Sequence, residues 1–458
     1  MQQSVINTPE KMKRTFIKNA IIVNEGRQVA GSVVIEGEKI AEIWVGDEGP
    51  VVPCDETIDA TGCYLLPGVI DDHVHFRDPG LTQKADITSE SRAAAAGGVT
   101  SIMDMPNTSP QTTTLDALNA KFDLMAEKCS VNYSCYFGAT NNNYPLLEQL
   151  DKHRVCGVKL FMGSSTGNML VDKMTSLLNI FNSTDLLIAT HCEDQGIIKE
   201  NTEKYLTKYG ADGDVPLRYH PNIRSTEACY QSSELAVRLA RIADARLHIL
   251  HISTAKELQL LENIPLVEKR ITAEACVSHL LFTSSDYQEL GTRIKCNPAI
   301  KKKERNALRD AVNSGLIDVI ATDHAPHLLK DKEGGALKAA SGMPMIQFSL
   351  VSMLGLVDEG VFTIEKIVEK MCHAPAQIYE IHNRGFIRTG NQADLVLVRP
   401  NTEWTVTKDC IFSKCQWSPL EGHSFRWKVE KTFVNGHLLY SDGAIDENYR
   451  GQELRIRN

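Results

Sequence analysis

The run Asp71-Asp72-His73-Val74-His75 sets two histidines two residues apart at the end of an apolar stretch. A strand alternates its faces, so His73 and His75 project to one side and offer two imidazole nitrogens to a single cation. Such a pair also occurs in cores that bind nothing. Here three more ligand-type residues stand in equivalent places: His191 after LLIAT, His251 after LHIL and Asp323 after DVIAT. Ligand-type residues that each close a short apolar run predict a metal centre where those runs converge. Lys159, within VCGVKLFMG, adds a further signal, because an ammonium in an apolar strand is costly unless paired or modified. Two readings fit it: a salt bridge at the strand end, or a carbamate whose two oxygens bridge two cations. His248 lies three residues before His251, hence on the opposite strand face, and reads as a structural histidine packed toward helices. His153, His220, His373, His382, His423 and His437 read likewise as structural.

These residues need a scaffold that brings strand ends together. Short apolar runs begin near residues 67, 98, 131, 155, 185, 246, 270 and 317. Most are about 30 residues apart, the length of a strand-plus-helix unit. The two wide gaps, from 185 to 246 and from 270 to 317, imply insertions in loops. Between the runs the pattern turns helical. DALNAKFDLMAEK places Leu118, Phe122 and Met125 on one face, SRAAAAGG ends with a capping glycine, and Thr254 with Glu257 forms a capping box that starts a helix after RLHILHIS. Eight βα units predict a closed (β/α)8 barrel, whose strand C-termini share one mouth. The segments on either side differ. TFIKNAIIV and GSVVIEGEKIAEIWV near the start, and QADLVLV, WTVTKDCIF and KTFVNGHLLYSDG near the end, read as short strands, the last with an Asn435-Gly436 hairpin turn. The reading is therefore α/β: residues 1–66 and 385–458 form one small β domain built from both termini, and residues 67–384 form the barrel.

Composition removes other classes. The 458 residues are 42% hydrophobic and 23% charged, with a formal net charge of −9 and acidic residues scattered along the chain. No basic stripe suggests nucleic acid, and no apolar run approaches the ~18 residues of a membrane span. The start, MQQSVINTPEKMKRTF, lacks the apolar segment of a secretory signal, so a cytoplasmic protein is expected. None of the twelve cysteines forms CxxC, which points to reduced, mostly buried thiols rather than a zinc ribbon or redox pair.

The stretch DDHVHFRDPGLTQKADITSESRAAAAGGVTSIMDMPNTSP, followed in order by VKLFMG, ATHCED, LHIST, KCNPAIK and ATDHAPH, resembles the dihydroorotases of the cyclic amidohydrolase family. GNQADLVLV and KTFVNGHLLY extend the resemblance over essentially the whole chain. It implies a (β/α)8 barrel with two divalent metal ions, zinc in the family, and a bridging hydroxide that attacks the ring amide of dihydroorotate to give N-carbamoyl-aspartate. By that resemblance His73, His75 and Asp323 bind one metal and His191 and His251 the other, with N-carboxylated Lys159 between them. Asp323 shuttles the proton, Arg77 and Asn107 hold the substrate carboxylate, and Asn297, His327 and the backbone near Gly342 surround the ring. The sequence departs from the common form in NPAIK and CVSHLLF, which bears on Asn297 and His279. The resemblance also implies a place in pyrimidine biosynthesis and a homodimer. Allantoinase and dihydropyrimidinase are the neighbouring activities, and their rings carry no carboxylate for Arg77 to bind. A non-catalytic partner of aspartate transcarbamoylase is the alternative of another class. Finally LLKDKEGGALKAASG, residues 328–342, reads as a lid with Gly334-Gly335 as hinge, so ligand is expected to shield Lys330, Lys332 and Lys338 from trypsin.

Overall fold

A computed structural model describes residues 12–46, 48–163 and 169–457. Most of MQQSVINTPEKMKRTF, and with it the reading of that stretch as lacking a secretory signal, lies outside the described residues. The eight expected runs are the barrel strands Val69–Val74, Val99–Asp104, Asn132–Cys135 with its continuation Phe137–Gly138, Val158–Phe161, Ile188–His191, Leu247–Ile249, Ile271–Cys276 and Val319–Ala321. All neighbouring pairs are parallel. The third strand pairs backwards through Asn132–Cys135 and forwards through Phe137–Gly138. The ring closes where the His75 amide donates to His324 O at 2.8 Å and the His324 amide to His73 O at 3.2 Å. The fold is a (β/α)8 barrel.

Alternation along each strand divides the core in two. Val69, Val99, Leu160, Ile188, Leu247, Ile249 and Ala273 face outward and share one apolar cluster with Leu118, Phe122 and Met125 of helix Leu115–Lys128 and with Ala236 and Ala240 of helix Thr226–Ala243. Ile70, Ala189, Leu250, Val319 and Ala321 face inward over Tyr136 and Tyr379, which plug the floor. The helix-start chemistry is local. Asp86 caps Ile87–Ala96 by accepting from the Ser89 amide, and Thr114 caps Leu115–Lys128 through the Ala117 amide. The Thr254–Glu257 pair makes one of the two expected bonds, the Glu257 amide to Thr254 Oγ1 at 3.3 Å; the Glu257 carboxylate accepts instead from Thr254 Oγ1 at 2.9 Å and the Ser253 amide at 3.3 Å. It starts only the 3₁₀ turn Glu257–Leu260, not an α-helix.

Strands from both ends of the chain form a single nine-stranded sheet. Its seam is the antiparallel pairing of Leu395–Arg399 with Tyr64–Pro67, Leu395 opposite Pro67 and Val398 opposite Tyr64. Arg14–Asn24, Arg27–Glu36 and Lys39–Val45 extend one side, and Lys428–Val434 and His437–Ser441 the other. Asn435 and Gly436 both have positive φ, 49° and 75°, the backbone a tight hairpin turn requires. All twelve cysteines are free, and all but Cys54 and Cys410 are buried. No helix among the described residues is long and apolar enough to cross a membrane.

Candidate metal centre and substrate pocket

One polar cavity at the C-terminal mouth of the barrel is lined by His73, His75, Arg77, Asn107, Lys159, His191, His251, Asn297, Asp323 and Gly342, among others. Three of these side chains reach it by breaking strand geometry. Arg77, His251 and Asp323 have φ of 67°, 40° and 47°, a left-handed backbone that bulky L-residues adopt only where the surroundings enforce it. Each stands just beyond a strand end, so the turn aims the side chain back over the mouth.

Acceptors beside two of the imidazoles favour a proton on Nδ1. His73 Nδ1 donates to Glu274 Oε1 at 2.9 Å, and His75 Nδ1 donates to Asn107 Oδ1 at 2.7 Å. The Nε2 lone pairs of both rings therefore point at Asp323 Oδ1, 3.3 Å from His73 and 3.1 Å from His75. On the opposite side His191 Nδ1 and His251 Nε2 lie 3.0 Å apart, and His191 Nε2 is 3.1 Å from Glu193 Oε2. Burial holds His73 and His75 down at about 4, with Asp323 only partly opposing it, and drives His191 and His251 down as well. Burial alone would raise Asp323, but His73, His75 and Lys159 together hold it below the ordinary carboxylate range. Imidazoles held toward the neutral form and an ionised carboxylate gathered this closely are what divalent cations require. The donor set fits such cations.

Lys159 is buried on Val158–Phe161, its Nζ 4.7 Å from the Phe161 ring centre. Burial lowers its pKa, against the attraction of Asp323 and Glu274. In register, Lys159 sits beside Ala189, Ala189 beside His248 and His248 beside Thr272. His248 thus belongs to the inward row, which corrects the expectation that it packs against helices. Its Nδ1 is 2.7 Å from Thr272 Oγ1 and its Nε2 3.3 Å from Asp72 Oδ2. The parity count from His251 fails because the chain turns left-handed at His251.

Of the residues expected around a substrate, Arg77 is buried, with Nε donating to Pro326 O at 3.1 Å and Nη2 lying 3.2 Å from His327 Nε2. Asn297 faces the cavity with Oδ1 buried and without a partner among the described residues. His327 does not line the cavity. It stands behind Arg77 as a strut, Nδ1 3.1 Å from Lys84 Nζ and Nε2 3.1 Å from Ser341 O. Burial first, then Arg77 and Lys84, push it far below the usual imidazole range. Gly342 lines the cavity, yet its amide already donates to Lys295 O at 2.9 Å and its carbonyl accepts from Lys332 Nζ at 2.7 Å. At φ 130° a Cβ there would meet Ala325 O at 2.6 Å. Gly342→Ala is therefore expected to lower stability by on the order of 1–3 kcal/mol. Equilibrium urea unfolding measures this, and an unchanged midpoint would contradict the close approach.

The 328–342 segment corrects the hinge expectation. Gly335 N donates to Asp214 Oδ2 at 2.6 Å, Leu337 N to Asp214 Oδ1 at 2.9 Å, and Ala336 N to Val215 O at 2.7 Å. Lys332 is buried and its ammonium gathers Lys295 O, Ala340 O and Gly342 O within 2.7–3.0 Å. The segment is strapped down, and Lys332 offers trypsin no access in this state. Sequence reasoning also missed Glu274, which lies below His73, and Glu193, which pairs with Arg224 behind His191. Both carried the signal used for Lys159, a charge in a buried run: ITAEAC and ATHCED.

Over residues 64–439 the chain matches the Amidohydrolase family. It is 32% identical over 445 residues to a dihydroorotase of Halobacterium salinarum, covering 96% of this chain and 99% of that one. It is 29% identical over 438 residues to an allantoinase of Bacillus velezensis, covering 94% of each. The L-hydantoinase (dihydropyrimidinase) of Arthrobacter aurescens has the same fold, with a TM-score of 0.91 at 26% identity over 97% of this chain and all of that one.

Proposed function

The chain belongs to the amidohydrolase family, and on that premise we propose that this hydrolase is a dihydroorotase, interconverting dihydroorotate and N-carbamoyl-aspartate. The observation that carries this reading is Arg77, a buried guanidinium in the wall of the cavity that holds the candidate ligands. A planar fork of donors suits a carboxylate, and dihydroorotate carries one on its ring. The second reading, hydrolysis of an uncharged cyclic amide such as a hydantoin or allantoin, draws on the likeness to the hydantoinase and the allantoinase.

In our reading His73, His75 and Asp323 would hold one divalent ion and His191 and His251 a second, with Lys159, as a carbamate, supplying further oxygen ligands. Burial lowers the Lys159 pKa to about 8, which enlarges the share of free amine, the form that captures carbon dioxide as Nζ bonds to its carbon with loss of a proton. When bound, the ions, zinc by this reading, supply Lewis acidity toward the amide carbonyl and lower the pKa of water toward about 7. Asp323 takes the proton of the attacking water and delivers it to the ring nitrogen as the carbon–nitrogen bond breaks. Arg77 and the amide groups of Asn107 and Asn297 orient the ring so that this nitrogen faces Asp323. Glu274 and Asn107 keep the His73 and His75 protons on Nδ1, and His327 stiffens Arg77. The reading carries with it a place in pyrimidine synthesis, a cytoplasmic location and a homodimer.

Assays of the purified protein on dihydroorotate, allantoin, hydantoin and dihydrouracil, with a metal count, test it. Turnover of an uncharged ring above that of dihydroorotate would move the assignment to the second reading. Arg77→Met is expected to raise KM for dihydroorotate by roughly 30- to 1,000-fold, since losing a bidentate charge-assisted contact costs about 2–4 kcal/mol. An unchanged KM would mean the carboxylate is bound elsewhere.

A further inference from the structure

Glu274 is fully buried on Ile271–Cys276 and touches both halves of the candidate centre. Its Oε1 accepts from His73 Nδ1 at 2.9 Å and from the His251 backbone amide at 2.9 Å, with Oε2 3.2 Å from the same His73 nitrogen. Its own carbonyl accepts the Ile252 amide at 2.7 Å. One residue therefore fixes the tautomer of a ligand on the first barrel strand and the left-handed turn that delivers a ligand beyond the sixth. We propose that Glu274 is a positioning residue that makes the two cation sites rise and fall together. The inference rests on the ligand assignment above.

The argument is one of reach rather than charge. The His73 ring and the His251 peptide converge on a single oxygen, so the acceptor must stand at that point to serve both. A glutamine places a carbonyl oxygen there and keeps both bonds. An aspartate keeps the charge but stops one methylene short, releasing the His73 proton and the His251 turn at once. Outer-sphere partners of this kind are worth about 10- to 100-fold in metal affinity.

The test is competition of the full-length protein with a zinc chelator, resolving two sites, for wild type, Glu274→Gln and Glu274→Asp, with circular dichroism to confirm the fold. Expected is near-wild-type affinity at both sites for Glu274→Gln and a loss of about 10- to 100-fold at both for Glu274→Asp. Retention by Glu274→Asp with loss in Glu274→Gln would make the role one of charge and overturn the proposal, as would a loss confined to one site or none in either variant. A wild type that binds two ions, with both variants unchanged, sinks this inference alone. A wild type that binds none sinks the ligand assignment and the inference with it.

Discussion

Asp323→Asn is expected to lower kcat by on the order of 10²–10⁴-fold while substrate still binds. The amide matches the carboxylate in size and keeps an oxygen, so the packing around the left-handed turn at residue 323 survives. What it loses is basicity. Asp323 lies within 3.3 Å of His73 Nε2 and His75 Nε2, and attraction to these neighbours and Lys159 outweighs burial and holds it below the ordinary carboxylate range. An amide there cannot take a proton from water or return one to a leaving nitrogen. Calorimetric binding of N-carbamoyl-aspartate beside steady-state turnover separates the two effects. A near-normal kcat would remove Asp323 from the chemistry.

Lys159→Ala is expected to be as severe by another route. The variant should retain fewer than two metal ions per chain and lose turnover by on the order of 10³-fold or more, the range over which acid–base and positioning losses combine. The side chain is enclosed between Phe161 and the histidines, so its removal leaves a polar void at the centre of the site. A short carboxylic acid such as propionate can enter that void and return two oxygens. Partial recovery of metal and activity with added acid is the expected signature, read by metal analysis and assay together. Two bound ions and ordinary turnover in Lys159→Ala would place the bridge elsewhere.

How much of this was legible follows from where the information lies along the chain. The barrel strands could be found because each is a short apolar run with turn chemistry on either side, as at Val99–Asp104 or Val319–Ala321. The ligand-type residues could be found because they close such runs. Their surroundings could not. Counting faces from His251 misplaced His248, since counting assumes an unbroken strand and the backbone at 251 is left-handed. The strap was misread for a related reason. Gly334-Gly335 looks like a hinge in sequence, yet a Cβ at Gly335 would lie 2.2 Å from Val215 O. Glycine is there for close approach to a segment more than a hundred residues away, and Asp214, which holds it, gives no local sign of doing so. Likewise Lys332 reads as a solvated charge until its three carbonyl partners are brought together by the fold.

The seam between Tyr64–Pro67 and Leu395–Arg399 has a consequence for synthesis. Pro67 leaves the ribosome roughly 330 residues before its partner Leu395, an interval of about 15–65 s at ordinary elongation rates of roughly 5–20 residues per second. Throughout that time Tyr64–Pro67 has no Leu395–Arg399 to pair with, and an unpaired strand edge is the kind that invites pairing with another chain. The whole barrel is translated inside this window. The edge at Tyr64–Pro67 is therefore among the first parts of the barrel's neighbourhood to be made, and the strand that covers it, Leu395–Arg399, is among the last.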